Sequence, residues 1–395
     1  MTNGNDSKSW IPFRPSRDDL AGLAADVAAI PDLQSILAEN HPLLQVRDRV
    51  AHQYQIAGGR VILKVAAQLP EALNGLGLFQ PNAEHIGIGR VSTGLGCPHA
   101  ETDPDFLGLM LAFRTSTGRR VDFLAINDPT SPTDNHRDFM VLLAATAAAA
   151  GAKSPFGSGE GEPGLAALIA SNVTLVKFLV EKLGGHGGAI ATHVVRQTSR
   201  TARSSSAYQT YWTGIVEASG TAGKFVIAPA LADQNPHRPF GAGPRHLTVD
   251  WRARQGRGDV MFDLFWVPFI DQDSTSTAEL TKAWEEHRQR VGRVAFPKQD
   301  ANDKDAALWA ILADEMGANA GHWIGDRADS IAEPATEFTA ARKIAYRKSQ
   351  DGRNALPDER YAQVFRTGAI DEGLAAELLE RRARKVAAGH TSAAQ

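Results

Sequence analysis

The feature that most constrains this chain is the grouping of its strand-like runs. Arg60 to Leu69, Ile86 to Thr93, Leu107 to Arg114 and Arg120 to Ile126 are rich in Val, Ile, Leu and Phe, and turn residues bound them. A second set, Thr210 to Val216, Lys224 to Pro229, Asp259 to Val267 and Val291 to Pro297, follows a helical interlude. Thr115 to Arg119, with Gly118, reads as a hairpin turn between two runs of the first set. Two sets of strands with helices between and after them predict an α+β class: an antiparallel β-barrel core, or strongly curved sheet, with surrounding helices.

The helices are placed by periodicity and caps. Ser16 to Asn40 opens on Ser16, with Asp18 and Asp19 in its first turn, and Pro31 is expected to break it. Arg137 to Ala150 is alanine-rich. Leu165 to Leu183 should end at Gly184-Gly185, and from Thr192 the pattern is expected to return to strands. Thr277 to Arg290, Ala306 to Met316, Pro334 to Gln350 and Asp371 to Ala388 complete the predicted helices. Lys153 to Gly164, with four glycines and two prolines in twelve residues, reads as a flexible loop. The expected organisation is an N-terminal helical arm over 1–44, a barrel domain over 45–350, and a C-terminal helix and tail over 351–395.

Composition removes several classes of function. A net charge of −3 and a pI near 6.5 give no general basic surface, so nucleic acid is not an expected partner. Cys97 is the one cysteine; it excludes an internal disulfide and any Cys/His zinc spacing, and a cytoplasmic setting fits. The polar N-terminus has no signal-like apolar region, and no integral membrane segment is expected. GxGxxG, P-loop, GxSxG and HExxH patterns are absent. His186, among four glycines, has no second ligand at useful spacing and reads as a loop residue at a helix C-terminus.

Two arrangements carry more chemistry. Arg49-Val50-Ala51-His52 precedes the strand residues Arg90-Val91-Ser92-Thr93. Arg342 and Tyr346 stand at i and i+4 on one predicted helix face. A guanidinium beside a phenol favours the phenolate, which makes such a pair a way to present an anionic oxygen to ferric iron. Alone, that spacing is common in helices.

In combination and order, these residues resemble the haem catalases and their smaller relatives, the allene-oxide-synthase-like enzymes. Arg49 to His52 is similar to the family's RVVH, and Arg90 to Thr93 to its RFST strand. Asp103-Pro104, Gly108 and Phe113 follow in the manner of its DPRGF segment. Val121 to Pro129 resembles WDLVGNNTP, with Phe139 beyond it. Ser206 to Tyr211 and Val291 to Gln299 resemble later strand segments, and Arg342 to Tyr346 matches RxxxY.

The resemblance implies a haem-dependent, hydroperoxide-metabolising oxidoreductase, either a catalase or peroxidase-like. It implies ferric haem b with Tyr346 as iron ligand, a ligand class known for catalase. His52 would be the distal acid–base residue, with Asn127 holding the peroxide. Arg49, Arg90, Ser92, Phe139 and Arg342 would complete the haem site. The family's catalytic amide is the first of two asparagines; here Ile126 takes that place and Asn127 the second. The implied partners are a peroxide or organic hydroperoxide and further copies of the chain. The alternatives are a fatty-acid hydroperoxide isomerase or lyase, and a barrel that binds haem or lipid without turnover. Ala51 replaces the threonine of the isomerase branch, which argues against the first of these.

Overall fold

The sequence LGLMLAFR shows how the core is built. This strand, β3 (Leu107–Arg114), is buried over seven of its eight residues. Leu107, Leu109, Leu111 and Phe113 point one way, and Gly108, Met110 and Ala112 the other. The first set joins the main apolar core and Met110 and Ala112 join a second one. A strand covered on both faces needs no polar alternation, which is why these runs read as continuous apolar segments. The structure is a computed structural model. It describes residues 10–40, 47–94, 96, 101, 105–150, 165–198, 205–230, 243, 245–300, 303–322 and 335–387.

The strands close into an antiparallel barrel. Around it run β1 (Gln55–Val65), β2 (Glu84–Thr93), β3, β4 (Arg120–Ile126), β5 (Tyr211–Thr213), β7 (Thr221–Pro229), β8 (Val260–Pro268) and β9 (Gln289–Phe296), and β9 pairs back to β1. A short β6 (Val216–Ala218) hangs on β7. Closure removes the exposed edges of an open sheet. The interior is filled by inward side chains such as Val61, Phe123, Phe225 and Trp266. Phe79, from the β1–β2 connection, stacks on Phe225 with centroids 5.6 Å apart. The α+β barrel class expected from the strand grouping is the class observed.

Helices cover the outside. They are α1 (Arg17–Asp26), α2 (Ile30–Asn40), α3 (His136–Ala150), α4 (Leu165–Leu183), α5 (Gly185–Thr198), α6 (His246–Arg257), α7 (Lys304–Glu315), α8 (Glu337–Gly352) and α11 (Glu372–Ala387), with two short turns, α9 (Asp358–Tyr361) and α10 (Val364–Thr367), before the last. Ser16 caps α1 in a reciprocal capping box with Asp19. The break comes at Val27–Ala29, and Pro31 sits in the first turn of α2, where its missing N–H is harmless. Arg17–Glu39 has the length and hydropathy (1.3) of a membrane span. Its Leu23, Val27, Ile30 and Leu37, however, face α3 and α8 in a common apolar cluster.

Two expectations are corrected, and one helix was not foreseen. The glycine-rich stretch after Gly184 is helix α5, not a return to strands. Gly184 takes φ +60° and ends α4, and Ile190, Ala191 and Val194 then pack against α3 and α4. Thr277 to Arg290 is irregular up to β9, because side chains there satisfy the backbone instead. Thr277 N and Glu279 N bond to Gln272 Oε1 (3.0 Å) and Ser276 Oγ (2.9 Å), and the Trp284 indole donates to Ser276 O (2.7 Å). The polar α6 was unanticipated; buried Leu247 and Trp251 hold it to the barrel core. Lys153 to Gly164, Cys97 and Asp103-Pro104 lie outside the described residues.

Candidate active site

The outer face of the barrel wall supplies the floor of a cavity of ≈ 300 Å³. Register places Ser92, Gly108 and Ile126 in one row across β2, β3 and β4, and Arg90, Met110 and Leu124 in another. α8 supplies a second wall. Arg342, Tyr346, Ser349 and Arg353 follow at i, i+4, i+7 and i+11, so one stripe of the helix lines the cavity. Thr339 ties that helix to the barrel by donating to Ile215 O at 3.1 Å. Phe139 of α3 lines the cavity as well and meets Phe338 edge-on, with centroids 5.8 Å apart.

His52 lies just before β1 with φ +59°, a conformation that few non-glycine residues adopt. Its N–H donates to Gly94 O at 2.9 Å, which holds the turn. The ring rests over Gly108, where any side chain would overlap Nδ1. Nδ1 is 3.1 Å from Thr93 O and 3.3 Å from Ser92 Oγ. A carbonyl only accepts, so Nδ1 carries the proton and Nε2 keeps its lone pair. Burial pulls the imidazole down to about 4, against the opposing pull of Asp105. The surface it retains looks into the cavity it lines. At neutral pH it is an uncharged base.

A charged cluster closes one end. Asp314, at the end of α7, accepts from Arg49 Nη1 (3.1 Å) and Arg90 Nη2 (3.1 Å). Arg90 also donates to Gln53 O, and Gln53 folds back onto Arg49 O at 2.6 Å. Arg353 donates to Met316 O at 2.7 Å. Behind them, Lys385 reaches Asp314 (3.4 Å) and Glu315 (2.7 Å), and Arg381 reaches Glu315 (3.2 Å). Asp48 also pairs with Arg49 (3.3 Å), so these five cations meet three carboxylates, Asp48, Asp314 and Glu315. Burial and the neighbouring Arg49 charge pull Arg90 to about 9 and Arg353 to about 10. A guanidinium does not give up its proton in practice, so the shifts mark an excess of buried positive charge that a further anion would relieve.

The structure thus gathers Arg49, His52, Arg90, Ser92, Phe139, Arg342 and Tyr346 around one cavity. Ser92 acts behind His52, and the Arg342 guanidinium lies over the Tyr346 ring, 5.7 Å from its centroid. Asn127 is not brought with them. Its Oδ1 accepts from Leu107 N (2.7 Å) and its Nδ2 donates to Gln209 (3.3 Å), while Ile126 and Asp128 line the cavity on either side of it. His186 lies in the first turn of α5 and bonds Asp138 across to α3 at 2.8 Å. Sequence reasoning missed Arg353, whose signal was its place seven residues after Tyr346. It also missed Asp314, for which no local signal exists.

These residues fit a haem. Protohaem carries two carboxylates on one edge, and the Arg49–Arg90–Arg353 end is short of negative charge. Among the described residues no group of three His, Cys, Asp or Glu could hold a bare ion. A metal at Tyr346 would therefore need a carrier that brings its remaining ligands.

No protein-family model matches the chain, and no curated protein sequence matches it. Solved structures do. A fungal catalase superposes with TM-score 0.58 at 15% identity, over 78% of this chain and 60% of the catalase. Catalase A from Saccharomyces cerevisiae gives 0.58 at 14%, over 81% and 63%. A bacterial catalase gives 0.56 at 15%, over 83% and 61%. The chain has the catalase fold and matches somewhat less than two thirds of the length of those proteins.

Proposed function

We propose that this catalase-fold chain is a haem-dependent, hydroperoxide-metabolising enzyme of catalase or peroxidase type, with Tyr346 as the ligand of a ferric haem b. The observation that carries the reading is a single cavity holding a neutral imidazole with an open Nε2 and, on another wall, an Arg–Tyr pair, with a cation-rich cluster at one end.

A ferric haem held here would supply the redox chemistry that hydroperoxide consumption needs. Arg342 supports the phenolate form of Tyr346 by its adjacent charge. Arg49, Arg90 and Arg353 would bind the propionates, for which planar guanidinium is well shaped. Phe139 would pack on the macrocycle. His52 Nε2 takes the proton of the bound hydroperoxide and returns it to the departing oxygen, general acid–base work for which a neutral ring is the required starting state. The Nδ1 bond to Thr93 O fixes the tautomer through the cycle.

Ile126 favours a second reading within this chemistry. An apolar side chain stands in the row beside Gly108, under His52, and offers hydrogen peroxide no hydrogen bond. An organic hydroperoxide, held by its apolar body, loses less by that exchange. His52→Ala tests the mechanism. The haem-loaded variant should keep its cofactor, because His52 does not hold it, and lose about 10²- to 10⁴-fold in hydroperoxide consumption. Equal rates in variant and parent would overturn the role of His52.

A further inference from the structure

Lys224 sits in β7 with its side chain on the outer face of the barrel, opposite in sense to the core residues Gly223 and Phe225. It is 6% exposed, and it lines the same cavity as His52 and Tyr346. Its Nζ lies 4.7 Å from the centroid of Trp284 and has no hydrogen-bond partner among the described residues. Buried ammonium groups are otherwise paired. Glu286 is the nearest carboxylate by influence, but both its oxygens are engaged. Oε1 accepts from the Trp212 indole and Oε2 from Arg288 at 2.5 Å. Burial pulls the Lys224 ammonium down to about 8, with Glu286 opposing, so the group remains mostly charged at neutral pH.

Haem does not account for this charge. Its two carboxylates share one edge, which the Arg49–Arg90 end suits. β2, which carries Arg90, and β7 are separated by β3, β4 and β5, so about 19 Å of wall lies between them at ~4.8 Å per strand. Trp212, Ile215, Leu280 and Phe338 line the cavity and pack in one apolar cluster with Trp284, the ring beside Lys224; such surfaces suit a hydrocarbon body and not a free inorganic anion. We propose that Lys224 is the anchor of a substrate subsite that takes the carboxylate of an amphipathic organic acid, its apolar body lying against Trp212, Ile215, Leu280 and Phe338. The proposal rests on the hydroperoxide reading for its substrate: the ligand would be a hydroperoxy acid and not hydrogen peroxide.

Calorimetric titration of the full-length, haem-loaded protein with decanoate and with decan-1-ol tests the subsite without turnover. Decanoate should bind about tenfold to a hundredfold more tightly than the alcohol, the range of a hydrogen bond to a charged group. Lys224→Met should erase that preference and leave the alcohol unchanged, while Lys224→Arg should retain most of it. In turnover, a long-chain hydroperoxy acid should lose its KM advantage over its methyl ester in Lys224→Met. Equal binding of acid and alcohol by the parent, or a preference that survives Lys224→Met, overturns the subsite. Retained binding preference in a protein that consumes no hydroperoxide would uphold the subsite and defeat the functional reading instead.

Discussion

At the scale of single residues, His52 concentrates the argument. Its left-handed backbone, the carbonyl of Thr93 and the bare Cα of Gly108 together fix a ring that is neutral until about pH 4. The unfolded chain takes up that proton near pH 6.5. Between those values the unfolded state binds more protons, so the fold loses stability as pH falls through the window and gains none above it. The loss at pH 4.5 is about 2 kcal/mol. Denaturant unfolding of parent and His52→Gln should show the parent losing that amount relative to the variant between pH 7.5 and 4.5. A difference that does not change with pH would mean that the ring is not held neutral. His52, Arg342 and Tyr346 were singled out by the ordered resemblance and not by their spacing alone, and the structure places all three on one cavity. Asp314 and Lys224 were not: Asp314 meets Arg90 across 224 residues, and only barrel closure brings β7 to the cavity.

At the scale of elements, α5 shows where sequence reasoning stops. Its three glycines and its β-branched residues argue against a helix on intrinsic preference. Packing decides otherwise. Gly187 faces the Leu179 carbonyl of α4 so closely that a Cβ would overlap it. The glycine is therefore a requirement of the α4–α5 approach. Gly187→Ala, which raises helix propensity by about 1 kcal/mol, should still destabilise the protein by about 1–3 kcal/mol through overpacking. A melting temperature equal to or above that of the parent would show that the two helices can part without loss. The strand pairs β2–β3 and β3–β4 lie at the opposite pole. Their apolar runs and the Gly118 turn set their limits within one or two residues, because strands covered on both faces read as continuous apolar runs and the turn chemistry is local.

At the scale of the whole molecule, the barrel serves as a wall and not as a container. Its interior is filled with side chains such as Phe123, Phe225 and Trp266, and the site lies outside, between β2–β4 and α8. The C-terminal α11 then closes the charged end from behind through Lys385 and Arg381. Groups of three kinds thereby meet at a common cavity: the base His52 and the cation Arg49 from the chain before β1, Arg90 from β2, and Arg342, Tyr346 and Arg353 along one stripe of α8. A proposed tyrosine-ligated haem would draw on all three kinds of group. The most direct test is the absorption spectrum of the hemin-titrated protein beside that of Tyr346→Phe. The account predicts one hemin taken up per chain, a Soret band with high-spin tyrosinate features, and loss of those features or of hemin retention in Tyr346→Phe. A parent that takes up no hemin, or a Tyr346→Phe protein with the parent's spectrum, would contradict it.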